Sequence, residues 1–187
     1  VQEAERVPAG AEGLLFAPYL SGERTPYPDP QARGAFVGLT LAHQRAHCTR
    51  AVLEGVAFGL RDSLEILKTM GVPLNELRLT GGGAKSPLWR QILASVFGQT
   101  VHTLQAEEGP AYGVALLAGV GTGVWQSVPE ACAHTVQLAS ETEPDPQQSE
   151  IYQVVYQRYR RLYPTLSEFW RGGKEEGTLQ AGGRDAG

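Results

Sequence analysis

The strongest constraint on the fold of this 187-residue chain is a run of three glycines, Gly81, Gly82 and Gly83. The four residues before the run predict a strand, and Ser86 followed by Pro87 predicts the N-cap and first position of a helix. Consecutive glycines let the backbone turn with positive φ and let a ligand approach the main chain closely. The helix N-terminus adds unpaired N–H groups and a positive dipole end, which favour a phosphate or the ribose edge of a nucleotide. A tight turn that binds no ligand has the same pattern, so the turn alone leaves both interpretations open.

Strand and helix patterns alternate along the rest of the chain, which predicts an α/β layered fold. Short apolar runs predict strands over residues 14–20, 35–40, 77–80 and 100–104. Apolar residues at three- or four-residue spacing predict helices over residues 43–70, 87–97, 110–120 and 150–170, with a short helix after residue 128. Gly55 and Gly59 lie inside the first helix, where each costs about 1 kcal/mol in helix propensity, and they predict close packing against another element.

Four segments are predicted to lie outside regular structure. Residues 1–12 are polar, with one proline and one glycine, and indicate a linker, whereas residues 21–34 contain three prolines and indicate a loop. Residues 141–148 indicate a polar linker, and the Gly-rich, charged residues 171–187 indicate a disordered tail. The folded domain is therefore expected over residues 13–170.

Composition and charge argue against several classes of function. The formal charge is −4 and the sequence has no long Lys/Arg run, which argues against a nucleic-acid surface. The charge-free residues 109–129 contain five glycines and two prolines, and their apolar core is too short to span a membrane. Cys48 and Cys132 form neither a disulfide framework nor a C-x-x-C motif, which is typical of a reducing, cytoplasmic compartment.

Two familiar site motifs are incomplete in this sequence. A Walker A loop needs a glycine directly before Lys-Ser, and Ala84 occupies that position before Lys85. His43 and His47 are one helical turn apart, but Gln44 stands where a zinc-protease helix has glutamate. The sequence therefore predicts no resident metal site, and Lys85 is interpreted as a surface lysine after the glycine turn.

Several sequence segments occur in a fixed order along the chain. They are PYLSGERTP (residues 18–26) with DP (29–30) and RG (33–34), GAFVGL (34–39) followed by AVLEG (51–55), LTGGGAKS (79–86) with Trp89, and EGPAYGVA (108–115). Together these segments resemble the C-terminal domain of the FGGY carbohydrate kinases, and the similarity covers residues 11–170. Cys48 departs from the aliphatic residue usual in the family, a mild change for a small buried thiol.

The resemblance implies an actin-like, ribonuclease-H-like domain in which a mixed sheet is flanked by helices. In this family the active site lies in a cleft between such a domain and an N-terminal domain. That N-terminal domain carries the sugar pocket, a phosphate-binding loop and the Asp that acts as base, so this chain is expected to hold no catalytic residue and to be inactive alone. Gly81, Gly82, Gly83 and Ser86 are expected to border ATP, and residues 108–113 to begin a helix close to the interdomain hinge.

By the same resemblance, the intact enzyme would transfer the γ-phosphate of ATP, with Mg²⁺, to a sugar hydroxyl. D-Xylulose, giving D-xylulose 5-phosphate, is the first expectation, and glycerol, gluconate or another pentulose are the alternatives. The expected partners are the sugar, ATP and the N-terminal domain across the cleft. A homodimer is a further possible assembly. A non-catalytic actin-like module that dimerises or binds a partner is the alternative from another class.

Charged residues outside the glycine turn are interpreted by their position. Arg24, Asp29 and Arg33 either face the cleft or only stabilise the proline-rich loop, and the second role is favoured. Glu54 lies in the middle of a predicted helix, where an ion-pair or capping partner is expected rather than a ligand-binding group.

Overall fold

The computed structural model describes residues 2–105 and 109–172, and the chain divides into two compact units. The described part of the first unit contains residues 2–67 and 151–172, and that of the second contains residues 68–105 and 109–150. Both units combine helices with strands, so the predicted α/β class is confirmed. Within the described ranges, none of the helices has both the length and the apolar character needed to cross a bilayer.

The regular elements follow the predicted alternation of short strands and longer helices. In chain order they are β1 (Leu15–Ala17), β2 (Ala35–Val37), α1 (Arg45–Thr69), β3 (Leu77–Leu79), α2 (Pro87–Phe97), β4 (Val101–Leu104), α3 (Gly109–Gly121), α4 (Val128–Thr135), β5 (Leu138–Thr142), α5 (Pro146–Tyr159) and α6 (Leu162–Gly172). Each strand and helix predicted before residue 135 is present, with small shifts at its ends.

Strands β1 and β2 of the first unit pair antiparallel. Aromatic side chains fill the core of this unit. The ring centroid of Phe58 on α1 lies 5.8 Å from Tyr152, 5.9 Å from Tyr156 and 5.3 Å from Tyr159, all on α5. The Tyr159 hydroxyl meets the Tyr19 hydroxyl at 3.3 Å, and burial raises the pKa of Tyr19 to about 12. Edge-to-face and tilted ring contacts of this kind fix the packing of α1 on α5.

Gly55 lets α1 approach β1 closely. A Cβ atom at this position would overlap the carbonyl oxygen of Phe16, a backbone atom that cannot move aside without shifting the strand. One turn later, a Cβ on Gly59 would lie 3.4 Å from the Tyr159 hydroxyl, an ordinary van der Waals contact. The predicted close packing is therefore confirmed at Gly55, and the helix is less crowded at Gly59.

Residues 2–12 do not form the predicted polar linker, because their apolar side chains cover the core of the first unit. Ala4, Val7 and Ala11 are buried, and the last two pack in one cluster with Leu14. These apolar residues recur every three or four positions and face inward, while the charged residues between them are exposed. The polar composition of the segment predicted a linker, but the spacing of its apolar residues packs it onto the core.

The second unit contains a mixed sheet in its described part. Strand β3 pairs parallel with β4, and β5 pairs antiparallel with the other edge of β4. Helix α2 begins as predicted, since the Ser86 hydroxyl accepts a hydrogen bond from the Trp89 N–H at 3.3 Å and Pro87 is the first helical residue. Gly98 ends the helix with a left-handed φ of 64°.

The polar linker predicted over residues 141–148 is reduced to residues 143–145. Strand β5 extends to Thr142, and α5 begins at Pro146 after Asp145, whose carboxylate accepts two N–H groups of the first helical turn at 2.9 and 3.0 Å. Four of the five residues of β5 are exposed, so the strand lacks the apolar alternation by which a half-buried strand is recognised.

The single helix predicted over residues 150–170 is two helices, since α5 ends at Tyr159 and α6 starts at Leu162. Pro164 explains the break, because proline lacks an N–H and its ring clashes with the carbonyl four residues earlier, so it is tolerated only in a first helical turn. Of the predicted disordered tail, residues 171 and 172 end α6, and residues 173–187 lie outside the described residues.

Candidate functional site

The three glycines form a tight turn directly after β3. Gly81 has φ 80° and ψ −177°, a conformation that residues with side chains rarely adopt. Gly82–Lys85 then form one 3₁₀ turn, in which the Ala84 N–H donates to the Gly81 carbonyl oxygen at 3.1 Å. The positive φ predicted for the glycine run is confirmed at Gly81.

The main chain of the first two glycines borders open space. Apart from chain neighbours, no heavy atom of the described residues lies within 4 Å of a Cβ built on Gly81 or Gly82. A Cβ on Gly83 would lie 3.1 Å from Nε1 of Trp89, which is tighter than an ordinary contact. The turn therefore presents bare backbone at its first two glycines and packs against the Trp89 indole at its third.

A cavity of about 290 Å³ lies beside the turn. It is bordered by the residues that end or follow β3 and β4, and ligands of α/β sheets bind outside the carboxyl ends of parallel strands. None of the described lining residues carries a carboxylate, whereas Lys85 and Arg90 carry positive charges. The lining residues are Leu79, Thr80, Gly81, Ala84, Lys85, Arg90, Thr103, Leu104, Gln105 and Ala139.

Hydrogen bonds from separate elements fix the walls of the cavity. Nη1 of Arg90 on α2 donates to the Ala84 carbonyl oxygen at 2.7 Å, which ties the helix to the glycine turn. The Thr103 hydroxyl lies 2.7 Å from the Ser140 hydroxyl, linking β4 to β5, and the Gln105 N–H donates to a carbonyl oxygen at 3.0 Å. A site with walls held in this way is largely formed before a ligand arrives.

The four residues predicted to border the nucleotide lie in one continuous segment, but they differ in what surrounds them. Gly81 lines the cavity, and Gly82 and Gly83 follow it in the turn. Ser86 uses its hydroxyl as the N-cap of α2 and is not among the described lining residues. Nucleotide contact at these four residues stays a prediction. Lys85, interpreted as a surface lysine, is exposed and also lines the cavity.

The segment predicted to lie near a hinge is described only from Gly109 onward, because Glu108 lies outside the described residues. Helix α3 begins at Gly109, close to the predicted start, and its Tyr112 hydroxyl donates to the Thr135 carbonyl oxygen at 2.7 Å. A role of this segment at a hinge stays a prediction.

The charged side chains of the proline-rich loop, residues 21–34, mostly stabilise the loop. Asp29 is buried and accepts hydrogen bonds from a loop N–H at 2.8 Å and from the Tyr163 hydroxyl at 3.0 Å. Arg33 donates to two loop carbonyl oxygens at 2.9 and 2.8 Å. Arg24 is exposed. The contacts of Asp29 and Arg33 support the favoured structural interpretation of these residues.

Glu54 is the centre of a buried polar network in the first unit. Its Oε1 accepts hydrogen bonds from Nε of Arg50 at 2.7 Å, the Gly10 N–H at 3.0 Å and the Tyr152 hydroxyl at 2.9 Å. Glu54 is 2% exposed and Arg50 is 3% exposed. Burial raises the pKa of Glu54, and the hydrogen bond and charge of Arg50 oppose that rise. The expected ion-pair role of Glu54 is confirmed.

The two histidines at the start of α1 close local turns. Nδ1 of His43 accepts a hydrogen bond from the Thr40 N–H at 2.9 Å, and Nδ1 of His47 accepts one from the Gln44 N–H at 3.0 Å. Across the residues that the structure describes, no three His, Cys, Asp or Glu side chains are grouped so that they could hold a metal ion.

Arg90, Thr103 and Gln105 line the cavity but were not predicted as site residues from the sequence. The positions of Thr103 and Gln105 could be predicted from the sequence, because β4 follows β3 through one helix, α2. Such a strand–helix–strand crossover predicts parallel neighbours, which places the residues ending β4 beside those following β3. The position of Arg90 depends on its bond to Ala84, which the sequence pattern does not reveal.

Known proteins match this chain over most of its length. Residues 1–122 match the FGGY family of carbohydrate kinases, C-terminal domain. The chain is 38% identical over 163 residues to a xylulose kinase of Bacillus subtilis, covering 87% of the chain and 33% of that relative. It is 40% identical over 121 residues to a gluconokinase of Bacillus subtilis, covering 64% of the chain and 24% of that relative.

A solved structure of a carbohydrate kinase shares the fold of this chain. The ligand-bound xylulose kinase from Lactobacillus acidophilus superimposes with a TM-score of 0.80 at 34% identity, over 89% of this chain and 34% of that one. The chain thus spans about a third of the length of the xylulose kinases that it matches.

Proposed function

Because the chain belongs to the FGGY family of carbohydrate kinases, we propose that it supplies the nucleotide-binding half of an enzyme that transfers the γ-phosphate of ATP to a sugar hydroxyl. The observation that carries the proposal is the open backbone of Gly81 and Gly82 beside a cavity at the carboxyl ends of β3 and β4. Bare main chain in this position accepts a flat base or a ribose, since no side chain stands in the way.

In this proposal Gly81, Gly82 and Gly83 border the adenine and the ribose or α-phosphate, with Ser86 at the start of the adjoining helix. The N-terminus of α2 contributes the positive end of its dipole. Lys85 lies in the glycine turn and lines the cavity, where its positive charge suits the phosphates of the ligand. Positive charge beside the phosphates matters because phosphoryl transfer depends mainly on positioning and charge neutralisation.

The described lining residues do not fit a resident Mg²⁺ ion. They include no carboxylate, whereas protein-bound Mg²⁺ is usually held by one or two carboxylates together with substrate phosphates. We therefore propose that Mg²⁺ accompanies the phosphates of ATP and takes its protein ligands from outside the described lining of this cavity.

In this proposal another part of the enzyme carries out proton transfer. Neither a carboxylate nor an imidazole occurs among the described lining residues, so none of them is suited to remove the proton of a sugar hydroxyl. This chain would bind the nucleotide and help to exclude water when the active site closes. The isolated chain is accordingly proposed to bind nucleotide without turnover.

D-Xylulose is the proposed sugar, with D-xylulose 5-phosphate as the product. Support comes from the matched relatives named xylulose kinase, at 38% identity over most of this chain. The match to a gluconokinase covers less of the chain and keeps gluconate as the alternative sugar.

The proposal is tested by titrating the chain with ADP and ATP, using amide NMR to locate binding and calorimetry to measure affinity. The nucleotide should shift the amide resonances of Gly81, Gly82 and Gly83. Gly82→Val should weaken binding by at least about tenfold, which is about 1.4 kcal/mol. The reason is that a side chain at this position meets no described protein atom within 4 Å and projects from the turn that the proposal places against the nucleotide.

Gly113→Val is the matched control, because a Cβ at Gly113 also meets no described atom within 4 Å but belongs to helix α3 and not to the glycine turn. This variant should bind nucleotide as the unchanged chain does. A chain whose glycine resonances do not move at millimolar ATP would contradict the nucleotide-binding role and favour a non-catalytic actin-like module.

A further inference from the structure

We propose that Arg90 is a positioning residue for the nucleoside part of the ligand. It would act by holding the glycine turn in the shape that the nucleoside contacts. This inference rests on the proposed function, because it assumes that the cavity beside the turn receives a nucleotide.

Arg90 is bonded directly to the glycine turn. Its Nη1 donates to the Ala84 carbonyl oxygen at 2.7 Å, and the Ala84 N–H donates in turn to the Gly81 carbonyl oxygen at 3.1 Å. Hydrogen bonds from a guanidinium are stronger than those between neutral groups. A turn that contains three glycines has unusual conformational freedom, so this bond selects one shape from many.

The same side chain also lines the cavity. Because Arg90 borders the space proposed for the ligand while it bonds to the turn, it fixes the position of the turn at the edge of that space.

The cavity wall around Arg90 is partly apolar. Leu79, Leu104 and Ala139 line the same cavity and give it an apolar side, which suits a base better than a phosphate. Arg90 is therefore assigned to the nucleoside end of the ligand and not to the phosphates.

Helix α2 has an anchor independent of Arg90. Nε2 of Gln91 donates to the Ser95 hydroxyl at 3.2 Å and to the Glu143 carbonyl oxygen at 3.1 Å, and the Ser95 hydroxyl also accepts the Asp145 N–H at 3.1 Å. This network stays intact when Arg90 is replaced. A substitution at Arg90 should therefore alter the glycine turn and leave the helix in place.

The test compares ADP with adenosine in calorimetric titrations of the unchanged chain, Arg90→Met and Arg90→Lys. Arg90→Met should weaken both ligands by the same factor, at least about tenfold, because the nucleoside is common to the two. Arg90→Lys should weaken both equally but less. Amide resonances of Gly82–Lys85 should move in ligand-free Arg90→Met while those of Ser95 and Asp145 do not.

Arg78→Met is the matched control. Arg78 lies on β3 in the same unit, pairs with Glu76 at 2.8 Å and is not a lining residue, so its loss should change neither affinity. Weaker ADP binding with unchanged adenosine binding would overturn the inference, since it would assign Arg90 to the phosphates. Unchanged binding of both ligands would also overturn it.

Two further comparisons keep the inference separate from the proposed function. If Arg90→Met does not fold, Arg90→Lys decides by the same comparison of ADP with adenosine. If Gly82→Val abolishes binding and Arg90→Met retains it, the role of Arg90 is rejected and the proposed nucleotide binding still stands. An unchanged chain that binds neither ligand would contradict both.

Discussion

One oxygen atom of Glu54 joins three parts of the first unit. The N–H of Gly10 in the N-terminal segment, the guanidinium of Arg50 on α1 and the hydroxyl of Tyr152 on α5 all donate to it. A buried ion pair adds little net stability compared with apolar packing, but removing one partner leaves the other charge buried and uncompensated. The network therefore makes the fold of this unit depend on a single carboxylate.

Replacing that carboxylate tests the dependence. Glu54→Gln should lower the free energy of unfolding by about 3–5 kcal/mol, because Arg50 keeps its burial and loses its counter-charge. Urea denaturation measures the change. Glu65→Gln on the same helix is the control, since the Glu65 side chain is 41% exposed and its 3.7 Å ion pair with Arg61 should contribute less than about 1 kcal/mol. Equal losses in the two variants would show that burial of the pair is unimportant.

At the scale of elements, two helices contain glycines in very different surroundings. On α1, Gly55 is pressed against the backbone of β1, whereas on α3 a Cβ at Gly113 meets no described atom within 4 Å. Helix propensity favours alanine over glycine equally at both sites. The difference between the two sites therefore isolates the effect of packing between elements.

Alanine at each glycine should have opposite effects on stability. Gly55→Ala should lower the free energy of unfolding by about 1–3 kcal/mol or more, because the new methyl group displaces the Phe16 carbonyl and with it β1. Gly113→Ala should raise it by about 0.5–1 kcal/mol through helix propensity and a less flexible unfolded chain. Thermal and chemical denaturation measure both. A stabilising Gly55→Ala would contradict the described contact between α1 and β1.

The elements best predicted from the sequence are those whose capping and turn residues lie within or next to the element itself. Helix α2 carries its own N-cap at Ser86, its first-turn proline and a left-handed glycine at its end, and the glycine turn needs only its neighbours to be recognised. The exposed strand β5 has no such signal, because its place depends on pairing with β4. The same limit applies to the site, since Arg90 joins the turn only through its hydrogen bond to the Ala84 carbonyl oxygen.

At the scale of the whole molecule, the chain spans about a third of the length of a xylulose kinase relative, and the described lining of its cavity has neither a carboxylate nor an imidazole. In the proposed function, sugar recognition and proton transfer belong to the remaining two thirds. The identity of the sugar should then follow whatever N-terminal part is joined to this chain.

Two chimaeras test this assignment. One joins the chain to the N-terminal part of the Bacillus subtilis xylulose kinase, and the other joins it to the N-terminal part of the Bacillus subtilis gluconokinase. In an assay of ADP release, the first should prefer D-xylulose and the second gluconate, while the chain alone should release no ADP with either sugar. The same sugar preference in both chimaeras, or turnover by the chain alone, would place sugar chemistry within this chain.

The indole of Trp89 lies against the third glycine of the turn, next to the two glycines that stay bare. The chain therefore carries an intrinsic fluorophore at the edge of its proposed nucleotide site. With the other two tryptophans, Trp125 and Trp170, replaced by phenylalanine, the emission of Trp89 alone becomes an optical reporter of the turn. Occupancy could then be followed in real time, with no dye attached and no labelled nucleotide.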